Sequence, residues 1–174
     1  MLAPQGGVLN LRDILLLYDY NYWATRRILS AGAHVSPEQF IVGTGHSFGS
    51  LRGTLVHVLD TEYGWRVLCQ HQTTTSFDAI EEDSFPTLDA LEQRWKEEGQ
   101  SMRDYLAHLT DDDLIGVIRY TMDEGEKREL VLWHCLLHVV NHGTHHRSEA
   151  AAILTGYSHS PGELDFTIFL NEEH

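Results

Sequence analysis

The chain has little of what would attach it to nucleic acid or to a membrane. It carries only 12 Lys and Arg residues against 26 Asp and Glu, a formal charge of −14 over 174 residues. Because phosphate backbones are bound by clustered cations, we expect neither a nucleic-acid partner nor an anionic membrane partner. No apolar run approaches the length that spans a bilayer, and the start, MLAPQGGVLNLRD, lacks the basic and apolar parts of a secretory signal. We therefore expect a cytoplasmic location.

Cysteine is also scarce, with two residues in the whole chain, Cys69 and Cys135. Both lie in segments with helical patterning and not in a dense cysteine framework, so we interpret them as reduced thiols that pack as small apolar side chains. By contrast, 42% of the residues are hydrophobic, which is enough for a core of ordinary size. The chain shows no internal repeat, low-complexity tract or linker, and we predict a single domain over residues 1–174.

Four segments show apolar residues at the spacing of an amphipathic helix. Between the third and fourth, IGVIRYT and KRELVLW flank a predicted reversal at Met122–Glu126 and indicate a β-hairpin. The fold predicted is all-α: a four-helix bundle with a small β-hairpin before the last long helix and a short C-terminal helical segment at Leu164–Leu170. The predicted helices are Leu11–Ser30 with Asn10 as N-cap, Phe48 to about Gln70 with Ser47 as N-cap, a third helix that runs to about Leu109 with Thr87 or Asp89 as N-cap, and Leu132–Thr155. The segments Ala33–His46 and His71–Pro86 are predicted to be connections.

The last of these helices contains five of the twelve histidines. An α-helix rises about 1.5 Å per residue, so histidines four apart are within reach of each other, whereas His138 and His146 are separated by about 12 Å along the axis. Imidazole nitrogens lie about 2 Å from a metal such as zinc, so at most two adjacent members can share one ion. The histidines are His134, His138, His142 and His146, spaced by four, with His145 beside the last.

A second source of histidine ligands is His57, in the middle of the second predicted helix. Gly53 and Gly64 lie along its stripe at some cost in helix propensity, which predicts space around the imidazole. Four-helix bundles build metal sites from side chains on facing helices. His57 and one pair from the last helix are therefore candidates for a shared metal site.

Two pairs on the last helix compete for that role. His142 with His146 fits best, because Gly143 and Ala150 keep the local surface small while Arg147 and Glu149 mark the polar end of the helix. His138 with His142 is the alternative. The residue after His142 is Gly and not Glu, so the zinc-protease pattern of a histidine pair with an adjacent glutamate base is absent.

The chain resembles the DinB-like (DinB/YfiT-like) metalloenzyme family. The resemblance rests on LRGTLVHVLDTEYGW, GEKRELVLWHCLLHVVNHGTHHR and PGELDFTIFL, and with segment order and length it covers essentially the whole chain. In that family three histidines bind a divalent metal, which implies His57, His142 and His146 here. The family often has Gly-Gln after the His-Arg pair, whereas this chain has Ser148-Glu149, so the charge near the metal differs.

Three neutral imidazoles leave at least one coordination position open, as in catalytic sites. A metal there could acidify water for hydrolysis or a thiol for attack on an electrophile. Relatives that are thiol-dependent S-transferases use bacillithiol or mycothiol, so the resemblance implies a low-molecular-weight thiol as substrate. Imidazole suits nickel, zinc, iron and manganese alike. A non-catalytic metal or small-ligand sensor or assembly module is the alternative, and the resemblance also implies a homodimer.

The remaining polar residues near the predicted ligands receive secondary roles. Glu62 is the candidate catalytic base, and His138, Asp60 and Glu149 are candidates for contacts to the ligands. For the three carboxylates, an exposed or ion-pairing role is an equal alternative. His134 and His145 are predicted to lie on the surface.

Overall fold

The computed structural model describes residues 9–72, 79–121 and 125–173, and four long helices dominate them. The predicted all-α bundle, with a β-hairpin before the last long helix and a short C-terminal helix, is confirmed. The elements are α1 (Leu11–Gly32), α2 (Pro37–Ile41), α3 (Leu51–His71), a 3-10 helix (Glu82–Ser84), α4 (Leu88–Leu106), α5 (Asp111–Leu114), β1 (Val117–Thr121), β2 (Lys127–Val131), α6 (Leu132–Gly156) and α7 (Phe166–Glu173).

Helices α1 and α4 begin where their capping residues predict. The Asn10 side chain accepts a hydrogen bond from the Asp13 amide, and the Asp13 carboxylate accepts one from the Asn10 amide, both at 3.1 Å. This reciprocal pair satisfies two amides that the first helical turn leaves without partners. Thr87 caps α4 by accepting from the Ala90 amide. Both caps were among the predicted ones.

Helix α3 begins later than predicted, and Ser47 is not its N-cap. Gly49 has φ +74°, a left-handed conformation that ends any backward extension of the helix. Ser50 is the N-cap instead, and its hydroxyl accepts from the Gly53 amide at 2.9 Å. Ser47 is thereby left in the preceding loop, where its hydroxyl donates to Glu149.

The predicted connection Ala33–His46 contains the short helix α2. Ser36 and Gln39 form a capping box, Pro37 occupies the first turn, and Phe40 is buried against the core. The hairpin is antiparallel with Val117 opposite Val131, which confirms its prediction. Within the other predicted connections, residues 73–78 and 122–124 lie outside the described residues.

The core of the bundle is divided into two apolar clusters. One joins α1 and α6 to the hairpin and α7, and the other joins α1, α3, α4 and α6. Cys69 and Cys135 are buried and form no disulfide, as predicted. Among the described helices, none is both long enough and apolar enough to cross a membrane.

Candidate metal centre

Three histidines from two helices come together where α3 faces α6. Nε2 of His57 lies 3.0 Å from Nε2 of His142, across 85 positions of sequence. His146 completes the group, with ring centroids 4.8 Å from His57 and 4.5 Å from His142. One ring nitrogen of each residue lies within 4.8 Å of the others, so the group could hold a metal ion. The structure thus places together the three histidines that the sequence and the family resemblance select.

Burial and mutual proximity favour the uncharged form of His57 and His142 near neutral pH. Burial, followed by the nearby His146, His57, His138 and His145, lowers the pKa of His142 to about 4. Burial and His146 also lower the pKa of His57, and the opposing effects of Asp60 and Glu149 are smaller. A neutral imidazole has a ring nitrogen with a free lone pair. Metal binding at neutral pH would therefore require little proton release from His57 or His142.

Phe48, in the loop before α3, covers one side of the group. Its ring stacks on that of His57, with centroids 3.6 Å apart and planes 14° apart, and its edge meets His146 at 5.0 Å. Gly49, next in sequence, has φ +74° and makes the turn that returns the chain to Ser50 and α3. Phe48 therefore restricts the orientation of His57 and shields it from water.

Glu149 fixes His146 from the other side. Its Oε2 lies 2.9 Å from Nδ1 of His146, and its Oε1 accepts a hydrogen bond from the Ser47 hydroxyl at 3.0 Å. The hydrogen bond to His146 lowers the pKa of Glu149, so the carboxylate is ionised at neutral pH and accepts the Nδ1 proton. In the neutral ring, this hydrogen bond leaves Nε2 of His146 as the nitrogen with a free lone pair.

The other histidines of α6 are placed differently. His134 and His145 are exposed, as predicted. His138, which was predicted to contact the ligands, is also exposed. Its ring lies against Trp65, with centroids 4.9 Å apart, and is farther from His142, at 5.8 Å, than His146 is, at 4.5 Å. Among the described residues, His138 belongs to no group of three potential ligands, whereas His145, His146 and Glu149 form a second, overlapping group.

The glycines near the histidines make room for other groups than the imidazoles. A Cβ on Gly53 would lie 2.1 Å from the Phe48 carbonyl oxygen, so this glycine allows the preceding loop to approach α3. A Cβ on Gly143 would lie 2.6 Å from a guanidinium nitrogen of Arg147 and 2.9 Å from Oδ1 of Asn21. The prediction that Gly53 leaves space around the His57 imidazole is therefore wrong, because the space is taken by the Phe48 backbone. Gly143 likewise makes room for Arg147 and Asn21.

Arg147 is the residue that the sequence misplaces most. It does not mark a polar helix end, because it is 2% exposed and its guanidinium donates to Asn21 at 2.5 Å and to Thr25 and Thr144 at 3.3 and 3.2 Å. Burial lowers its pKa to about 10, so it keeps its charge at neutral pH. The sequence offers one indication of this packing: Arg147 lies four residues after Gly143, on the same side of the helix.

Glu62 lies in the same buried network. Its carboxylate accepts from the Tyr22 hydroxyl at 2.6 Å and from the Asn21 amide at 3.1 Å, and burial raises its pKa. Asn21 thus links Glu62 on α3 to Arg147 on α6, next to His146. The role of Glu62 as a catalytic base stays a prediction. Asp60 accepts from the Ile80 amide at 2.8 Å and so supports the chain before α4.

The donor set is chemically suited to a divalent transition metal. Neutral imidazole is a common ligand for zinc, nickel, iron and copper, and two nitrogens on one metal at about 2.1 Å lie roughly 3–4 Å apart. The observed 3.0 Å contact and the 4.8 Å limit need only small side-chain movements to meet that range. No carboxylate belongs to this group, so its ligands are all neutral.

Comparison with known proteins identifies the family of the chain. The family model described as "DinB family" matches residues 8–173 of the chain. Protein DinB of Bacillus subtilis (strain 168) is 25% identical over 174 aligned residues, which cover 90% of this chain and 94% of that protein. The segment matched by the family model runs from before α1 to the end of α7, and the three clustered histidines lie within it. The chain belongs to the DinB family.

Proposed function

We propose that His57, His142 and His146 bind one divalent transition metal, and that the protein is a metal-dependent enzyme. The main support is that one ring nitrogen of each histidine lies within 4.8 Å of the others, although the residues come from two helices, α3 and α6. Two of these histidines have lowered pKa values, so they are neutral at pH 7. Nickel, zinc, iron and manganese all accept such ligands.

Three protein ligands leave room for a small molecule at the metal. Structural zinc sites usually have four protein ligands, whereas catalytic sites have three and an open position. When bound, the metal supplies Lewis acidity that acidifies a thiol or water at that position. The protein's own residues prepare the site: Glu149 holds the Nδ1 proton of His146, and Phe48 covers the ring of His57.

Transfer of a low-molecular-weight thiol is the reaction we favour, on the basis of the family resemblance. The thiol loses its proton to solvent, its sulfur forms a bond to an electrophilic carbon, and the leaving group departs with the electrons of the bond that breaks. Hydrolysis, with water in place of the thiol, is the second candidate, since the same open position suits both nucleophiles. A cytoplasmic location would supply such thiols.

Metal content tests the ligand assignment directly. The wild type should contain one equivalent of metal by inductively coupled plasma mass spectrometry, and His57→Ala and His142→Ala should each lose most of it. His134→Ala is the matched control, because His134 is exposed on the same helix and belongs to neither ligand group. Unchanged metal in both ligand variants would refute the assignment.

Catalysis needs a separate assay on the metal-loaded protein. Loss of free thiol in the presence of a panel of electrophiles, measured for wild type and His142→Ala, should show metal-dependent turnover in the wild type alone. Metal binding with no turnover of thiol or of hydrolysable esters would favour the non-catalytic sensor or assembly module. We also expect a homodimer, which light scattering after gel filtration would show as twice the 19.8 kDa chain mass.

A further inference from the structure

A cleft of about 550 Å³ lies between α1 and α4. Its described lining comes from the C-terminal half of α1, with Ala33 that follows it, and from α4; the three clustered histidines belong to α3 and α6. The volume is within the usual range of small-molecule sites, about 300–1,000 Å³. This cleft is therefore separate from the candidate metal centre.

Positive side chains are concentrated in this cleft. Arg26, Lys96 and Arg103 line it, although the chain has only 12 Lys and Arg residues against 26 Asp and Glu. Glu92 is the carboxylate among the described lining residues, and it pairs with Lys96 at 2.9 Å. Neither Arg26 nor Arg103 forms an ion pair with a residue that the structure describes. In so acidic a chain, two guanidinium groups that line one cleft and form no ion pair among the described residues are available to an anion.

Arg103 is held in place over an aromatic ring. Its guanidinium carbon lies 4.4 Å from the ring centroid of Tyr22, which also lines the cleft. Gly99 allows this packing, since a Cβ there would lie 3.3 Å from Tyr22 and 3.5 Å from an Arg103 nitrogen. A guanidinium that is already stacked loses less conformational freedom when its N–H groups bind a carboxylate.

The floor of the cleft is apolar and contains a buried donor without an acceptor. Leu29 and Trp95 line it and are 6% and 3% exposed. Among the described residues, Nε1 of Trp95 is the buried side-chain nitrogen or oxygen that has no hydrogen-bond partner. Buried donors in folded proteins are normally satisfied, so the indole of Trp95 is an unusual member of the cleft lining and its N–H signal should report a change in the cleft.

We propose that the cleft binds a small organic anion with a flat apolar body, of the class of aromatic carboxylates. The carboxylate pairs with Arg103 and Arg26, and the flat body packs on Leu29, Trp95 and the Tyr22 ring. Metal binding is not required for this site, because none of the three histidines lines it.

Titration of the purified full-length protein with 2-naphthoate tests the proposal. The four Trp residues give four indole N–H signals in a ¹H–¹⁵N spectrum, and Trp95→Phe identifies the one from Trp95. We expect a saturable shift that is largest for Trp95. Arg26→Gln and Arg103→Gln should each weaken binding at least fivefold, and Arg103→Lys should recover part of the loss. The neutral analogue 2-naphthamide should bind at least tenfold more weakly.

Arg12→Gln is the matched control, because Arg12 is exposed on the first turn of α1 and is absent from the described lining of the cleft. It should leave the affinity for 2-naphthoate unchanged. Thermal unfolding of each variant separates loss of binding from loss of fold. The proposal is overturned if no saturable binding occurs, if 2-naphthamide binds as tightly, or if folded Arg26→Gln and Arg103→Gln bind like the wild type.

Discussion

Glu149 holds Nδ1 of His146 at 2.9 Å and so determines which nitrogen of that ring is left to bind a metal. Replacing Glu149 with Ala removes the acceptor and frees the ring to adopt either tautomer. Loss of a hydrogen-bond partner of a metal ligand typically reduces metal affinity about 10- to 100-fold. We expect a reduction of this size for Glu149→Ala, measured by competition with a chromogenic chelator.

Glu149→Gln is the control for that prediction. The amide oxygen can still accept the Nδ1 proton, so the affinity should fall less than in Glu149→Ala. Equal affinity in wild type and Glu149→Ala would show that the hydrogen bond to His146 does not contribute to metal binding.

Phe48 should slow the release of a bound metal. Its ring stacks on His57 at 3.6 Å and also touches His146, so Phe48→Ala exposes both imidazoles to water and to competing ligands. We expect metal transfer to excess chelator to accelerate several-fold while metal stoichiometry is kept. Phe40→Leu controls for a general loosening of the fold, since Phe40 is buried in α2 away from the histidines. Equal transfer rates in wild type and Phe48→Ala would exclude a shielding role.

Gly143 and Gly156 provide a paired test of packing on α6. Alanine favours a helix over glycine by about 1 kcal/mol. At Gly143 the new Cβ would meet the buried Arg147 and Asn21 at 2.6 and 2.9 Å, and overpacking of this kind costs about 1–3 kcal/mol. Arg147 is 2% exposed and hydrogen-bonded to Asn21, so it cannot easily move away from the new Cβ. The cost of the clash should therefore exceed the gain in helix propensity, and urea denaturation should show a lower free energy of unfolding for Gly143→Ala.

Gly156→Ala is the matched control, because a Cβ there meets nothing within 4 Å. Its free energy of unfolding should stay within about 0.5 kcal/mol of the wild type or rise slightly. If both variants were equally stable, Arg147 would not be packed against Gly143 as described.

The metal-free protein should lose stability as the pH falls from about 6.5 to about 4. The pKa of His142 is lowered from 6.5 to about 4, so the unfolded chain binds the proton more readily than the folded chain does. The free energy of unfolding therefore rises with pH in this window, and the contribution from His142 is complete above the pKa of the unfolded chain. The shift corresponds to at most about 3 kcal/mol, and partial solvent exposure reduces it.

Urea denaturation between pH 7 and pH 4.5 measures this dependence. His142→Gln should flatten the curve relative to wild type, because the proton uptake at that residue is removed while the carboxylates titrate alike in both proteins. Parallel curves would mean that the pKa of His142 is not lowered in the fold.

The helices were predictable because local chemistry determines them. Asn10 and Thr87 cap α1 and α4 through contacts within three residues, and periodic apolar residues specify which helix faces are buried. Ser47 and Ser50 could not be distinguished this way, since both precede an apolar run and only the left-handed turn at Gly49 excludes the former.

The histidine group was accessible from spacing, whereas its supporting contacts were not. Four-residue spacing pairs His142 with either His146 or His138, the position of His57 in the second predicted helix makes it the partner from another helix, and the family resemblance implies the set His57, His142 and His146. The packing of Phe48 on His57, and of Arg147 against Asn21, joins residues 9 and 126 positions apart and depends on how the helices meet. Periodicity along one chain segment carries no information on such contacts.

Anomalous X-ray diffraction at the absorption edge of the metal found in the purified protein would locate the metal relative to the three histidines. We expect one strong anomalous peak about 2.0–2.2 Å from one ring nitrogen each of His57, His142 and His146. A peak at His145, His146 and Glu149 instead, or no peak near His57 in crystals of metal-loaded protein, would contradict this expectation.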